Sequence, residues 1–131
     1  MTAVLQADSL EASLTVGDLE RSAAWYRDVL GFAIDRRHER DGRLAAVSLR
    51  AGAVRILLAQ DDGAKGAGRI KGEGISLQIS TSQRADDIAS RIKAHGGVLD
   101  TEPTRMPWGV TVVRLRDPDG FRLTISSTDA V

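Results

Sequence analysis

A chain that spells the same series of elements twice is confined to folds in which two like modules share one core. Leu14-Thr15-Val16 lies over Leu77-Gln78-Ile79 at a shift of 63 (14 to 77). Val54-Arg55-Ile56-Leu57-Leu58 lies over Phe121-Arg122-Leu123-Thr124-Ile125 at a shift of 67 (54 to 121). Between these anchors each half carries a helical stretch closed by glycine, Gly31 and Gly96, at a shift of 65. The economical reading is a duplicated β-α-β-β-β module. Neither half, at about 60 residues, buries much core alone, so the two are expected to pair through their sheets.

The first module is the better punctuated. Leu10, Ala12, Leu14 and Val16 alternate with Glu11, Ser13 and Thr15, which is a strand with one buried face. The chain turns at Gly17-Asp18. Asp18 is a good helix N-cap, without a capping box because Arg21 stands where Glu would. Leu19, Ala23, Ala24, Trp25, Val29 and Leu30 form the apolar stripe of one helix running to Gly31. Strands are expected over 33–37, 44–50 and 54–60, with a hairpin turn around Asp41-Gly42 and a tight turn at Ala51-Gly52.

Residues 61–74, DDGAKGAGRIKGEG, hold five glycines and no periodicity, the pattern of a linker. The GxxxxGK[ST] spacing of a phosphate loop is absent. Beyond it, Ile75, Leu77 and Ile79 alternate as a strand. A helix is expected over 83–95 with Ile88, Ala89 and Ile92 on one face, and strands over 98–101, 110–116 and 121–126. Residues 102–108, with two prolines, read as loop. One domain over 1–131 is expected, with module 1 at about 10–60, a linker at 61–73 and module 2 at about 74–127.

Eighteen basic and eighteen acidic residues cancel. The balance holds by halves, 9 basic against 10 acidic in 1–65 and 9 against 8 in 66–131. No net field favours nucleic acid or an anionic membrane. The chain has no cysteine, which removes disulfides, thiolate chemistry and Cys-based metal sites. No apolar run approaches the roughly 18 residues that span a bilayer. The first residues lack the basic start and apolar middle of a secretory signal. A cytoplasmic protein is the expectation.

The alternation also assigns sheet faces. Leu14, Val16, Leu77, Ile79, Leu123 and Ile125 face the helices; Glu11, Ser13, Thr15, Gly74, Ser76, Gln78, Arg122, Thr124 and Ser126 share the opposite face. A face this polar on corresponding strands of both modules suits the wall of a wet cavity better than plain solvent surface.

LTVGDLERSAAWYRDVLGF, followed by PWG and RDPDGFRLTI, closely resembles the vicinal-oxygen-chelate superfamily, which includes glyoxalase I, bleomycin-resistance proteins, fosfomycin-resistance enzymes and extradiol dioxygenases. The resemblance covers nearly the whole chain. It implies an α+β fold of two βαβββ modules whose sheets curl into an open, cup-like barrel around one ligand, and a homodimer. Metal-dependent relatives place His, Gln or Glu on the first strand and Glu or His on the last strand of each module. Those positions fall here on Glu11, on Gly74 through the shift of 63, on Thr124, and on its repeat mate Leu57 (or Ile56, if the register slips by one). Glu11 alone is a serviceable ligand, and one carboxylate does not hold a divalent cation. His38, at a hairpin tip, and His95, at a helix end, do not rescue the site. No metal is therefore expected.

The residues read as ligand-binding are Glu11, Ser13, Arg55, Leu57, Ser76, Gln78, Trp108, Arg122 and Thr124. Glu11, the sole candidate for catalysis, is a ligand anchor, a general base, or a salt-bridge partner of Arg122 or Arg55. Inward-pointing Arg55 and Arg122 favour a ligand bearing a carboxylate, phosphate or enolate oxygen. Trp108 either stacks on a flat ligand at the cavity mouth or packs its loop onto the sheet. Trp25 and Tyr26 belong to the helix and read as core or interface. The expectation is a metal-independent small-molecule-binding protein. A metal-dependent lyase, isomerase or extradiol-type dioxygenase is the alternative, needing a divalent metal or acid–base work by Glu11. The cationic ligand bleomycin is disfavoured by the overall neutrality.

Overall fold

In the computed structural model, which describes residues 4–66 and 68–129, both repeats fold as β-α-β-β-β. Module 1 consists of β1 (Glu11–Val16), α1 (Leu19–Trp25) with a π-helical turn (Tyr26–Leu30), β2 (Ala33–Arg40), β3 (Arg43–Ala51) and β4 (Val54–Gln60). Module 2 consists of β5 (Ser76–Thr81), α2 (Ala85–Ala94), β6 (Leu99–Arg105), β7 (Thr111–Arg116) and β8 (Arg122–Ser127). Each module makes its own four-stranded sheet, in the order β1-β4-β3-β2 and β5-β8-β7-β6. The first strand of each runs parallel to the last and the other pairs are antiparallel.

The apolar positions of the alternation do face the helices. Leu14, Val16, Ile56, Leu58, Leu123 and Ile125 are buried in one continuous core with Leu19, Tyr26, Ala89 and Ile92, and Leu77 and Ile79 pack against it. Asp18 caps α1 by accepting from the Arg21 N–H, and Gly31 ends the helical segment in the left-handed region at φ 84°. No helix among the described residues is long and apolar enough to cross a membrane.

Four expectations need correction. β2 runs three residues further than expected, to Arg40, so His38 lies within a strand and not at the hairpin tip. β6 continues to Arg105, through the stretch read as loop. It is an edge strand with register shifts beside Thr101, and an edge tolerates Pro103 because the missing N–H need not pair. The helix of module 1 is not uniform: the Gly31 N–H donates five residues back, to the Tyr26 carbonyl, which makes the last turn π-helical. The repeat shift at the first strands is 65, not 63. Glu11 pairs with Arg55 and Ser76 with Arg122, so Glu11 corresponds to Ser76 (11 to 76) and Arg55 to Arg122 (55 to 122).

That register explains the π turn. Two residues separate Val16 from Leu19, whereas three separate Thr81 from Ala85. The helical shift is therefore 66, matching buried Leu19 and Ala23 to buried Ala85 and Ala89, and it returns to 65 at Gly31 and Gly96. Module 1 carries one extra helical residue, and the wider turn absorbs it.

The modules meet through their helical layer and through one buried polar clamp. The Tyr26 hydroxyl donates to Asp117 Oδ2 at 2.8 Å, the Ser22 hydroxyl to Asp119 Oδ2 at 3.2 Å, and the Gly17 N–H to Asp119 Oδ1 at 2.9 Å. Asp117 Oδ1 accepts the N–H groups of Asp119 and Phe121, both at 2.9 Å, which shapes the DPDG turn. Burial pushes the Asp117 carboxyl above its ordinary range, while the bonds from Tyr26, Phe121 and Asp119 pull it down. Burial, then the Asp117 charge, push the Tyr26 phenol far up. The linker crosses the same turn: a Cβ on Gly72 would lie 2.7 Å from the Gly120 carbonyl oxygen, so only glycine lets the backbones approach this closely.

Candidate ligand-binding site

Strand partners in register project to the same side, so pairing lists what each polar face presents. On the first sheet the rows are Glu11, Arg55 and Arg50; Ser13, Leu57 and Ser48; and Thr15, Ala59 and Ala46. On the second they are Ser76, Arg122 and Arg116; Gln78, Thr124 and Arg114; and Ser80, Ser126 and Val112. Eight of the nine expected site residues thus sort into two matching sets of four. Glu11, Ser13, Arg55 and Leu57 lie on one sheet, and Ser76, Gln78, Arg122 and Thr124 on the other. Ile56 is buried among the core residues, which settles the one-residue ambiguity in favour of Leu57 on the polar face.

The two sets are not joined by a sheet. No strand of the first sheet pairs with one of the second, and β1 and β5 are both edge strands. Trp108 lies apart from both, in the β6–β7 turn, where the Met106 N–H donates to the Val110 carbonyl and the indole is 70% exposed. It therefore does not pack its loop onto the sheet.

The two polar faces differ in depth. On the first, Glu11, Ser13, Thr15 and Arg55 are exposed and Leu57, Ala59, Ala46 and Ser48 half-buried. On the second, Val112 is 3% and Thr124 9% exposed. Val112 is a buried aliphatic residue outside the main core cluster. The second sheet therefore buries an aliphatic and a hydroxyl side chain on the side away from its helix. Pattern reading missed Val112 because 112 and 113 are both valine, and only pairing tells which one faces the core.

The charge around these rows is mostly guanidinium. Arg50 pairs with Asp35 at 3.6 Å and Arg116 with Asp100 at 3.1 Å. Among the described residues, Arg55, Arg114, Arg122 and Glu11 make no ion pair, so Glu11 bridges to neither Arg122 nor Arg55. His38 lies against Ser48 at 3.1 Å, and His95 Nδ1 against the Arg91 carbonyl at 2.9 Å.

The sequence profile described as Glyoxalase/Bleomycin resistance protein/Dioxygenase superfamily matches residues 8–125. The chain belongs to that superfamily. TioX from Micromonospora sp. ML1 has the same fold, with a TM-score of 0.77 at 19% identity, covering 93% of this chain and 99% of that one. TnmS3, an antibiotic binding protein from Streptomyces sp. CB03234, gives 0.72 at 18% identity, over 95% and 98% of the two chains. A lactoylglutathione lyase from Agrobacterium tumefaciens gives 0.68 at 23% identity, over 94% and 95%. At these identities the likeness is one of fold. Comparison with curated proteins returns no match.

Within the superfamily frame, the corrected register places the four metal-ligand positions on Glu11, Leu57, Ser76 and Thr124, with Ser76 replacing Gly74. One carboxylate, two hydroxyls and an alkyl group do not match the donor set of a divalent cation. Among the described residues, no three His, Cys, Asp or Glu side chains are grouped so that they could hold a metal ion. The residues do not fit the metal site of the metal-dependent relatives.

Proposed function

We propose that this protein binds a small molecule, without a metal, on the polar faces of its sheets, and that a second copy completes the site. The observation that carries the reading is the sheltered pair Val112 and Thr124, an apolar and a hydroxyl group buried on the face away from the helices. Unpaired Arg55, Arg114 and Arg122 favour a ligand with a carboxylate, phosphate or enolate oxygen, since a guanidinium presents paired donors to such groups. Exposed Trp108 supplies a flat surface for stacking. The open edges of β1 and β5, and the division of the site between two sheets, support a homodimer in which each cup takes one face from each copy.

Glu11 serves in this reading as an acceptor for the ligand. Among the described residues, no basic side chain pairs with it. Elemental analysis of the purified protein, before and after incubation with Zn, Fe, Mn and Ni, is the first test. Less than about a tenth of an equivalent throughout is expected from the ligand count. Near one equivalent per chain, lost in Glu11→Ala, overturns the metal-free reading and redirects assays to lyase and dioxygenase chemistry. A thermal-shift screen of aromatic and anionic compounds follows, with a rise in Tm expected for binders and its loss expected in Arg122→Ala.

A further inference from the structure

The repeat places a helix against the other module's hairpin turn at two related junctions, and only one is closed. At the first, α1 meets the β7–β8 turn through the Tyr26–Asp117 and Ser22–Asp119 bonds. At the second, α2 faces the β3–β4 turn across a cleft of about 980 Å³ that touches the polar rows only at Ser80. Both halves of the clamp are missing there. The helical shift of 66 puts Ile88 and Ile92 where Ser22 and Tyr26 stand. Five residues separate the paired Arg116 and Arg122, but only four, Ala51-Gly52-Ala53-Val54, separate Arg50 and Arg55, and none is acidic.

The cleft that results has an apolar floor and a charged rim. Val54, Ile88, Ile92 and Ile125 line it, and Arg84, Asp87 and Arg91 stand around it. Arg91 spends one donor on the Asp28 carbonyl at 3.3 Å, and Arg84 lies 3.8 Å from Asp86. Arg84 is set against Asp86, so Arg91, whose remaining donors are unspent, is the guanidinium left at the edge of the hydrophobic floor. We propose that this second junction is a binding site, separate from the sheet-face site, for a small carboxylate with an aryl body. The ring takes the volume that the buried Tyr26 side chain fills at the closed junction, and the carboxylate, absent from the shorter turn, is supplied by the ligand and held by Arg91.

The test is an amide NMR titration with 3-phenylpropionate, using uncharged 3-phenylpropanol as control. Saturable shifts are expected at Val54, Ile88 and Ser82. Arg91→Leu is expected to weaken the acid about tenfold and leave the alcohol unchanged. Ala53→Trp, an exposed turn position, is expected to fill the cleft and abolish both. Three results overturn the proposal: shifts confined to Val112 and Thr124, an Arg91→Leu protein that binds the acid undiminished, or cleft shifts that follow protein concentration without ligand, which would mean that a second copy covers the cleft. The first would place the acid on the sheet face, and none of the three overturns the sheet-face reading, whose test is metal content and Arg122.

Discussion

The two modules share an element order but not a division of labour. Module 1 presents an open polar face and closes its helix against the neighbouring turn with a buried tyrosine. Module 2 buries Val112 and Thr124 on its polar face and leaves its helix facing a cleft. The difference lies in a few positions: Tyr26 against Ile92, Ser22 against Ile88, and an acidic five-residue turn against an apolar four-residue one. Duplication copies a scaffold, and substitution at the seams then decides which side of it holds the halves together and which side is left to receive something.

The largest expected effect comes from cutting the closed seam. Tyr26→Ala removes a fully buried ring and the hydroxyl that bonds Asp117 Oδ2, so urea unfolding should show a loss of roughly 4 kcal/mol. Ile92→Ala, the matching position beside the cleft, should lose roughly 2–3 kcal/mol, because the space already there relaxes around it. Equal losses would erase the contrast. Next is the linker crossing. Gly72→Ala meets the Gly120 carbonyl and a φ of 76°, and should cost roughly 2–3 kcal/mol. Gly52→Ala has open space and φ 57°, and should cost about 1 kcal/mol.

A pH series sharpens the same comparison. Because burial raises the folded-state value for Asp117, its protonated form is the one the fold prefers. Its contribution to stability is complete below the ordinary carboxylate value and is lost as pH rises through the raised one. Asp117→Asn, which cannot ionise, should flatten that decline in a Tm-against-pH profile. The smallest stability effect belongs to Trp108→Ala, within about 0.5 kcal/mol for an exposed turn. Under the proposed function, the same change should still weaken binding of a flat ligand in a titration.

The periodic part of this fold was legible. Alternation and turn residues placed six of the eight strands to within two residues, the Asp18 cap and the Gly31 stop gave one helix, and the repeat gave the second module. What was hidden depends on distance in sequence or on single-residue slips. Tyr26 and Asp117 are 91 residues apart, and nothing local marks them as partners. The shift of 63 arose from matching Leu14 to Leu77, since both are apolar and a two-residue slip preserves the alternation; only the pairing with β4 and β8 fixes it at 65. Pro103 reads as loop because a sequence does not reveal which strand is an edge. Eight of the residues read as ligand-binding do lie on the faces away from the helices, but their division between two sheets is topology, which face assignment alone does not contain.

The Gly72 crossing has a mechanical consequence. The covalent connection between the modules and the buried polar clamp occupy the same end of the molecule, with Lys71 paired to Asp61 beside them at 2.7 Å. Any rocking of one module on the other therefore pivots there, and the lever arm is longest at the opposite end, between Val54 and Ile88. A small angular change at the pivot becomes the largest linear change in the width of the cleft.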